Sequence, residues 1–433
     1  MTVAGLDRVY VQNHTSATNK RCIRAGYSTY MKSKIRYYLI ATAAVFAGAV
    51  GYVLFTNNPF AEKEVIKPLT ESWEKAIPNQ EVPAGLVDLK SENCGTCHTE
   101  YYKEWQYSTH SHAWTDKQFQ AELSKDSSPF LCINCHIPLQ NQQEFIVTGL
   151  VNGDIYRPVK ETNPKFDKKL QMEGINCASC HVRDGQIIGA FETDLAPHPV
   201  KVDPIHLSET LCISCHNANA VVTPTLACTF ETGDEWKAGP YFGKKNCVNC
   251  HMPEVKRSLV AGYPEREGHR HWFAGSGIPK EKGAKTKVMN GLAFYPELPK
   301  QLVKFTDSLE YEIALKNEYA GHRMPSGDPE RFVLINFKLK DAKNKLIAED
   351  TGRIGEKWQW YPTAKKLSDN NLYPDEVRKF KFAHLPKEKG KYKLEVEVTK
   401  HRMDEETAKY NGLDDSYPLF ISIFKEKYEF EVK

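Results

Sequence analysis

CGTCHTEYYKEWQYSTHSHA, residues 94–113, opens with two cysteines and a histidine directly after the second, then places further histidines at 110 and 112. The opening pattern returns four times, as CINCH at 132–136, CASCH at 177–181, CISCH at 212–216 and CVNCH at 247–251. Ten of the twelve cysteines therefore belong to one repeated element: Cys94, Cys97, Cys132, Cys135, Cys177, Cys180, Cys212, Cys215, Cys247 and Cys250. The cysteines and the histidine are fixed, while the residues between them vary freely.

This spacing is the attachment signature of c-type haem. Two thiols form thioether bonds to the porphyrin's vinyl groups, and the adjacent imidazole reaches the iron. His98, His136, His181, His216 and His251 are the proximal ligands on that reading, and the cofactor set is five covalent haem c groups with their iron. Structural zinc takes four ligands, usually two cysteine pairs per ion. Five pairs leave one over, and zinc gives no reason for a histidine after each. Redox dithiols of the Cys-x-x-Cys type sit in a βαβ context that is missing here.

Iron in haem has a second axial position, and a second histidine there closes it to substrate. Of 15 histidines, five are proximal. His14 precedes the apolar N-terminal segment, and His384 and His401 fall in a strand-rich region. Seven remain: His110, His112, His198, His206, His269, His271 and His322. His110 and His112 stand two apart, as do His269 and His271, so each pair is a single source. Methionine is scarce in this region, so paired histidines are favoured.

Residues 94–113 resemble the opening haem motif of the cytochrome c-554 group of multihaem cytochromes: C-x-x-C-H, then Trp (here Trp105), then S-x-H-x-x-A. The resemblance implies that His110 is a distal ligand, with His112 its neighbouring alternative. CVNCHMP (247–253) and HRHWFAGS (269–276) look like the late haem motif and the H-x-F-x-G segment of that group and its hydroxylamine-oxidoreductase and nitrite-reductase relatives. This implies His271 as a ligand, His269 as the alternative, and Trp272 and Phe273 against a macrocycle. AGHRMPSGDPER (320–331) is similar to the G-H-x-x-P-T-G segment of relatives with a C-terminal β-domain, which points to His322. His206, in DPIHLSE, is a further candidate. Cytochrome c-554 itself has four haems and lacks the β-domain.

The rest of the chain divides by texture. Residues 37–55 carry no charge, and before them Arg8, Lys20, Arg21, Arg24, Lys32, Lys34 and Arg36 face one acid, Asp7. That length suits a crossing of ~30 Å of hydrocarbon, and the basic flank places residues 1–36 in the cytoplasm. Ala47-Gly48-Ala49 resembles a signal-peptidase site, and Met31 is an alternative start. Residues 56–90 are expected to be a tether with one short helical piece near Glu71–Ala76. Residues 91–280 hold the motifs, with little periodicity, as expected where macrocycles fill the interior. From 300 to 433 the pattern alternates, as in KYKLEVEV, and predicts an antiparallel β-sandwich.

The expected architecture is thus multidomain: an N-terminal transmembrane signal-anchor helix, a mainly α and irregular pentahaem cytochrome domain, and a C-terminal antiparallel β-sandwich. It implies a single-pass inner-membrane protein with its haem and β-domains on the periplasmic, extracytoplasmic side. Electron transfer is the leading function, with a membrane quinol oxidoreductase or a soluble or outer cytochrome as redox partner. The alternative is a reductase or oxidase of small nitrogen or sulfur compounds at one five-coordinate haem. No C-x-x-C-K occurs, and a formal charge of +3 without long like-charge blocks gives no support for nucleic-acid binding. Intact mass spectrometry is expected to show five covalent haems, and the same spectrum reveals loss of residues 1–49 if the chain is cleaved after Ala49.

Overall fold

The computed structural model describes residues 20–56, 63–125, 129–223 and 226–433. The chain forms two compact units, Met1–Val65 and Ile66–Lys433. The expected cytoplasmic segment falls mostly outside the described residues.

In the first unit a helix runs from Lys20 to Thr56. Its span of Met31–Val53 is 23 residues of mean hydropathy 1.3, long and apolar enough for a membrane or an export signal. The helix begins well before the uncharged stretch because Lys and Arg are good helix formers. Side chains from Met31 to Val53 are exposed along the segment.

The second unit begins where a tether was expected, and from Ile66 onward that expectation is corrected. Ile66–Lys67 pairs antiparallel with Leu150–Val151. Ile77 N–H donates to the Pro138 carbonyl at 2.8 Å, and Gln80 N–H donates to Asn141 Oδ1 at 2.7 Å. Leu69 and Trp73 lie against the buried trio Phe130, Leu131 and Leu150. A region poor in apolar side chains recruits these flanking residues to cover its helices. The helical piece is a single 3-10 turn, Ser72–Glu74.

Each cysteine motif lies on a short helix. Four of them end on the motif histidine: Phe130–His136, Cys177–His181, Glu209–His216 and Cys247–His251. The first, Ser91–Gly95, stops within the motif. Asn176 and Asn246 cap their helices by accepting from the N–H of Ser179 (2.9 Å) and Asn249 (3.2 Å), which satisfies donors that a helix start leaves open. Side-chain cores here are small, such as Leu89, Leu139, Leu170, Ala178 and Val182.

The β-region is built from a three-stranded and a five-stranded sheet. The first orders Leu292–Pro296, Leu309–Asn317 and Val377–His384; the second orders Leu302–Val303, Phe420–Val432, Gly390–His401, Phe332–Asp341 and Leu346–Gly355. All pairs are antiparallel except the edge pair Leu302–Val303 with Glu431–Val432, which is parallel and departs from the expected pattern. The region begins at Leu292 rather than 300, because Leu292 and Phe294 supply one more alternating strand. Leu309, Ile313 and Leu315 from one sheet share a core with Ile335, Leu339, Leu394, Val396 and Val398 from the other. On the outer face Glu395 meets Lys340 at 2.6 Å and Lys427 at 3.5 Å. Such exposed pairs are worth ~0–1 kcal/mol, so the apolar faces dominate.

Leu394 is fully buried, so Leu394→Ala is expected to cost about 2–5 kcal/mol in denaturant unfolding. Lys338→Ala, on the exposed face, is expected to stay within about 0.5 kcal/mol.

Candidate functional site

An imidazole that binds metal through one nitrogen is normally oriented by a hydrogen bond from the other. His98 Nδ1 donates to the Leu259 carbonyl (3.2 Å), His136 Nδ1 to Ala113 (2.7 Å) and His181 Nδ1 to Ile188 (2.8 Å). His251 Nδ1 donates to the Ala274 carbonyl. His271 Nδ1 donates to the His269 carbonyl at 2.9 Å and His322 Nδ1 to Arg323 at 2.8 Å. A carbonyl only accepts, so each ring carries its proton on Nδ1 and presents Nε2 as a lone-pair donor. Burial is the first cause that pushes His136, His216, His271 and His322 down to about 4 and His110 to about 3. At neutral pH these rings are uncharged, the form that ligates iron.

Three proximal rings face a second imidazole. His181 and His271 have centroids 6.1 Å apart at 25°, His251 and His322 6.4 Å at 14°, and His110 and His216 6.3 Å at 41°. A metal–imidazole bond is about 2 Å, and the ring centre lies about 1 Å beyond its nitrogen. Two imidazoles on opposite sides of one metal therefore stand roughly 6 Å apart. The residues present fit haem: paired thiols at attachment spacing, and neutral imidazoles at axial separation. An axial pair is only two protein ligands, and among the described residues no group of three or more His, Cys, Asp or Glu is gathered to hold a bare ion.

The remaining candidates separate clearly. Of the neighbouring pairs, His110 and His271 take facing positions. His112 is exposed and turns Nδ1 to the Ser108 carbonyl (3.1 Å), while His269 donates to Met252 (2.7 Å) and meets no facing ring among the described residues. His206 uses Nε2 on the Cys180 carbonyl at 3.0 Å, the reverse of the other rings, and is corrected to a hydrogen-bonding role. His198 and His181 are both in electrostatic range of His98, and His198 Nδ1 is buried without a hydrogen-bond partner. His136 is stacked by Phe119 at 3.6 Å and meets no second imidazole at ring-contact distance among the described residues.

The stretch 269–276 is held by a residue that sequence reasoning missed. Glu104, buried on the helix Thr99–Gln106, accepts both Nη atoms of Arg257 at 2.8 Å, Arg270 Nη1 at 2.7 Å and the His271 N–H at 2.8 Å. Its one signal was its place beside Trp105. Phe273, at φ 46, lies against both His110 (4.5 Å) and His271 (5.7 Å) and so touches two facing pairs. The Trp272 ring is flanked by Arg270 at 4.7 Å and Lys287 at 4.4 Å, because cations gain from an aromatic face.

His322 comes from the β-region. Asn317 Nδ2 donates to the His322 carbonyl at 2.9 Å, while Glu235 accepts from the Arg323 N–H (3.2 Å) and Ser326 Oγ (2.7 Å). The loop is thus fastened on both sides. Gly239 lets it approach: a Cβ there would lie 2.3 Å from the Gly321 carbonyl oxygen.

The motifs also adjoin one another. Ser91 Oγ accepts from the Cys177 N–H at 3.2 Å, Glu209 accepts from Asn246 Nδ2 at 2.9 Å, and the Cys135 and Cys215 side chains act on one another electrostatically. The first motif therefore abuts the third, and the fourth abuts both the second and the fifth.

Comparison with known proteins places this geometry. Residues 93–153 match the family model described as cytochrome c554 and c-prime. The fold is similar to a penta-heme cytochrome c552 from Thermochromatium tepidum, at 18% identity and TM-score 0.55, covering 80% of this chain and 100% of that one. A CARDB domain from Pyrococcus furiosus (16% identity, TM-score 0.19) covers 33% of this chain and 87% of its own; that score carries no argument. No curated protein matches the chain.

Burial alone would raise the Glu104 carboxyl, but the bonds from Arg257, Arg270 and His271 hold it below the usual range. A depressed carboxylate stabilises the fold above its ordinary pKa of about 4 and loses that contribution as pH falls through the folded value. Glu104→Ala is expected to cost about 3–5 kcal/mol at neutral pH and to remove this acid-side dependence, measured as denaturation midpoint against pH.

Proposed function

We propose that this chain, a multihaem c-type cytochrome, relays electrons through five covalent haems on the extracytoplasmic side of the inner membrane. The observation that carries the reading is the set of facing imidazoles at 6.1, 6.3 and 6.4 Å. His181 with His271, His216 with His110 and His251 with His322 would hold the haems of the third, fourth and fifth motifs. His198 serves the first. Haem c, when bound, supplies a one-electron iron couple. The protein's residues hold and tune it. Backbone carbonyls keep the proton on Nδ1, burial keeps the imidazoles neutral, and a histidine on both sides excludes substrate and favours a low potential.

The adjoining of the first motif with the third, and of the fourth with the second and fifth, supports a relay through neighbouring attachment sites. The β-region, read as a β-sandwich, donates His322 and so takes part in ligation as well as in docking. Anchoring through Met31–Val53 is supported by its length and apolar character. The donor and acceptor classes are a membrane quinol oxidoreductase and a soluble or outer cytochrome.

One observation favours a second reading, reduction or oxidation of a small nitrogen or sulfur compound at an open haem. His136 is oriented by Ala113 and stacked by Phe119, yet faces no second imidazole among the described residues. Stoichiometric CO binding to one haem of the reduced, unmodified protein would favour this reading over a pure relay.

His322→Ala is expected to convert one low-spin haem to a high-spin, CO-binding form in EPR and optical spectra, with the β-region's circular dichroism unchanged. An unaltered EPR spectrum would remove His322 from the ligand set.

A further inference from the structure

Where the β-region meets the haem-bearing residues, buried positive charge exceeds the negative charge available to it. Lys280, Arg331, Lys400 and Arg402 lie together. Among the described residues, only Lys280 forms an ion pair, with Asp116. Asp116 also accepts from Tyr417 OH at 2.7 Å. Lys400 and Arg402 are each 6% exposed. Lys400 Nζ reaches only the carbonyls of Met289 (3.1 Å) and Ser276 (3.3 Å). Arg402 rests its guanidinium 4.3 Å over the Tyr417 ring and gives Nη2 to the carbonyls of Ile278 and Pro279. Its Nε and Nη1 are buried without a partner. Arg331 Nη1 meets the Ser326 carbonyl at 3.1 Å. Asp328, the other carboxylate in its electrostatic range, accepts from Gln118 and the Glu330 N–H.

Burying uncompensated cations is costly, and a buried guanidinium with two free N–H groups is built to take a carboxylate through both. The cluster adjoins the haem sites: Lys280 and Asp116 act electrostatically on His136, and Arg331 acts on both His216 and His322. Each haem c carries propionate carboxylates beside its ring.

We propose that Arg402, supported by Lys400 and Arg331, is a propionate clamp. It takes a carboxylate of a haem attached at the second, fourth or fifth motif as the missing counter-ion, and so couples that haem's potential to the β-region. This rests on haem c occupying the motifs. A small oxyanion from solvent would satisfy the same chemistry, but the cluster lies beside two motif histidines, His136 and His216, and beside His322, where propionates come with the attached haem.

The test uses the mature holoprotein. Intact mass checks the premise: fewer than five haems in the unmodified protein counts against the haem reading, separately from the clamp. In EPR-monitored redox titration, Arg402→Gln is expected to move one midpoint potential to lower values, since loss of a nearby cation favours ferric iron. Arg402→Lys is expected to restore much of that shift. Identical potentials in all three proteins overturn the proposal. If Arg402→Gln fails to mature, Arg402→Lys carries the test alone. With haem labelled by ¹³C at its propionates, redox-difference infrared spectra of the parent and Arg402→Lys must differ in one label-sensitive carboxylate stretch. Identical spectra overturn the clamp. So does a haem spectral change on adding nitrite or sulfite that the parent shows and Arg402→Lys lacks.

Discussion

An imidazole that holds a metal through one nitrogen must place its other proton, and inside a protein the acceptor is usually a backbone carbonyl. Much of this structure follows from that need. His98, His136, His181 and His251 each give Nδ1 to a carbonyl outside the motif, while His271 and His322 give theirs to the neighbouring carbonyls of His269 and Arg323. The loops around the motifs are therefore orienting elements as much as connections. Leu259, Ala113, Ile188 and Ala274 are chosen by where their backbone runs, not by their side chains. This explains how a region with small apolar cores has a defined arrangement: its order lies in ligand orientation, short capped helices and polar contacts such as Gln80 with Asn141.

A second consequence concerns the β-region. Its own core is conventional, with alternating residues of two sheets closing on one another. Its distinctive contributions lie at the seam. One is the loop bearing His322, held by Asn317 on one side and Glu235 on the other. The other is the cationic group around Arg402. Both bring residues from far along the chain to the histidines of the second, fourth and fifth motifs. The β-region thus takes part in the surroundings of these histidines, as the His322 segment implied.

Glu104 shows how one buried carboxylate organises a ligand loop. It holds Arg257, Arg270 and the His271 N–H together, so the helix after the first motif sets the position of the histidine facing the third. Phe273 then links that pair to His110 and His216 through ring contacts. Motifs that are sequential in the chain are thus interleaved in space, the first beside the third and the second beside the fourth.

The sequence alone determined the chemistry of attachment, since Cys-x-x-Cys-His is local and its geometry is complete within five residues. It also determined the β-texture after residue 300, because alternation of side chains across a strand is local too. His110, His271 and His322 were legible as ligand candidates through short motifs. Tertiary structure alone decided which histidine faces which, for facing depends on loops separated by scores of residues. His110 and His112 differ little in sequence; burial and a facing imidazole, His216, separate them. His206 was a weaker candidate from sequence, and its Nε2 lies on the Cys180 carbonyl. Glu104 and Arg402 left almost no sequence signal, because a lone charged residue reads as a solvated surface group until the fold buries it. Attachment is written in neighbouring residues, whereas pairing, charge balance and the closing of an iron's second side arise only when distant segments meet.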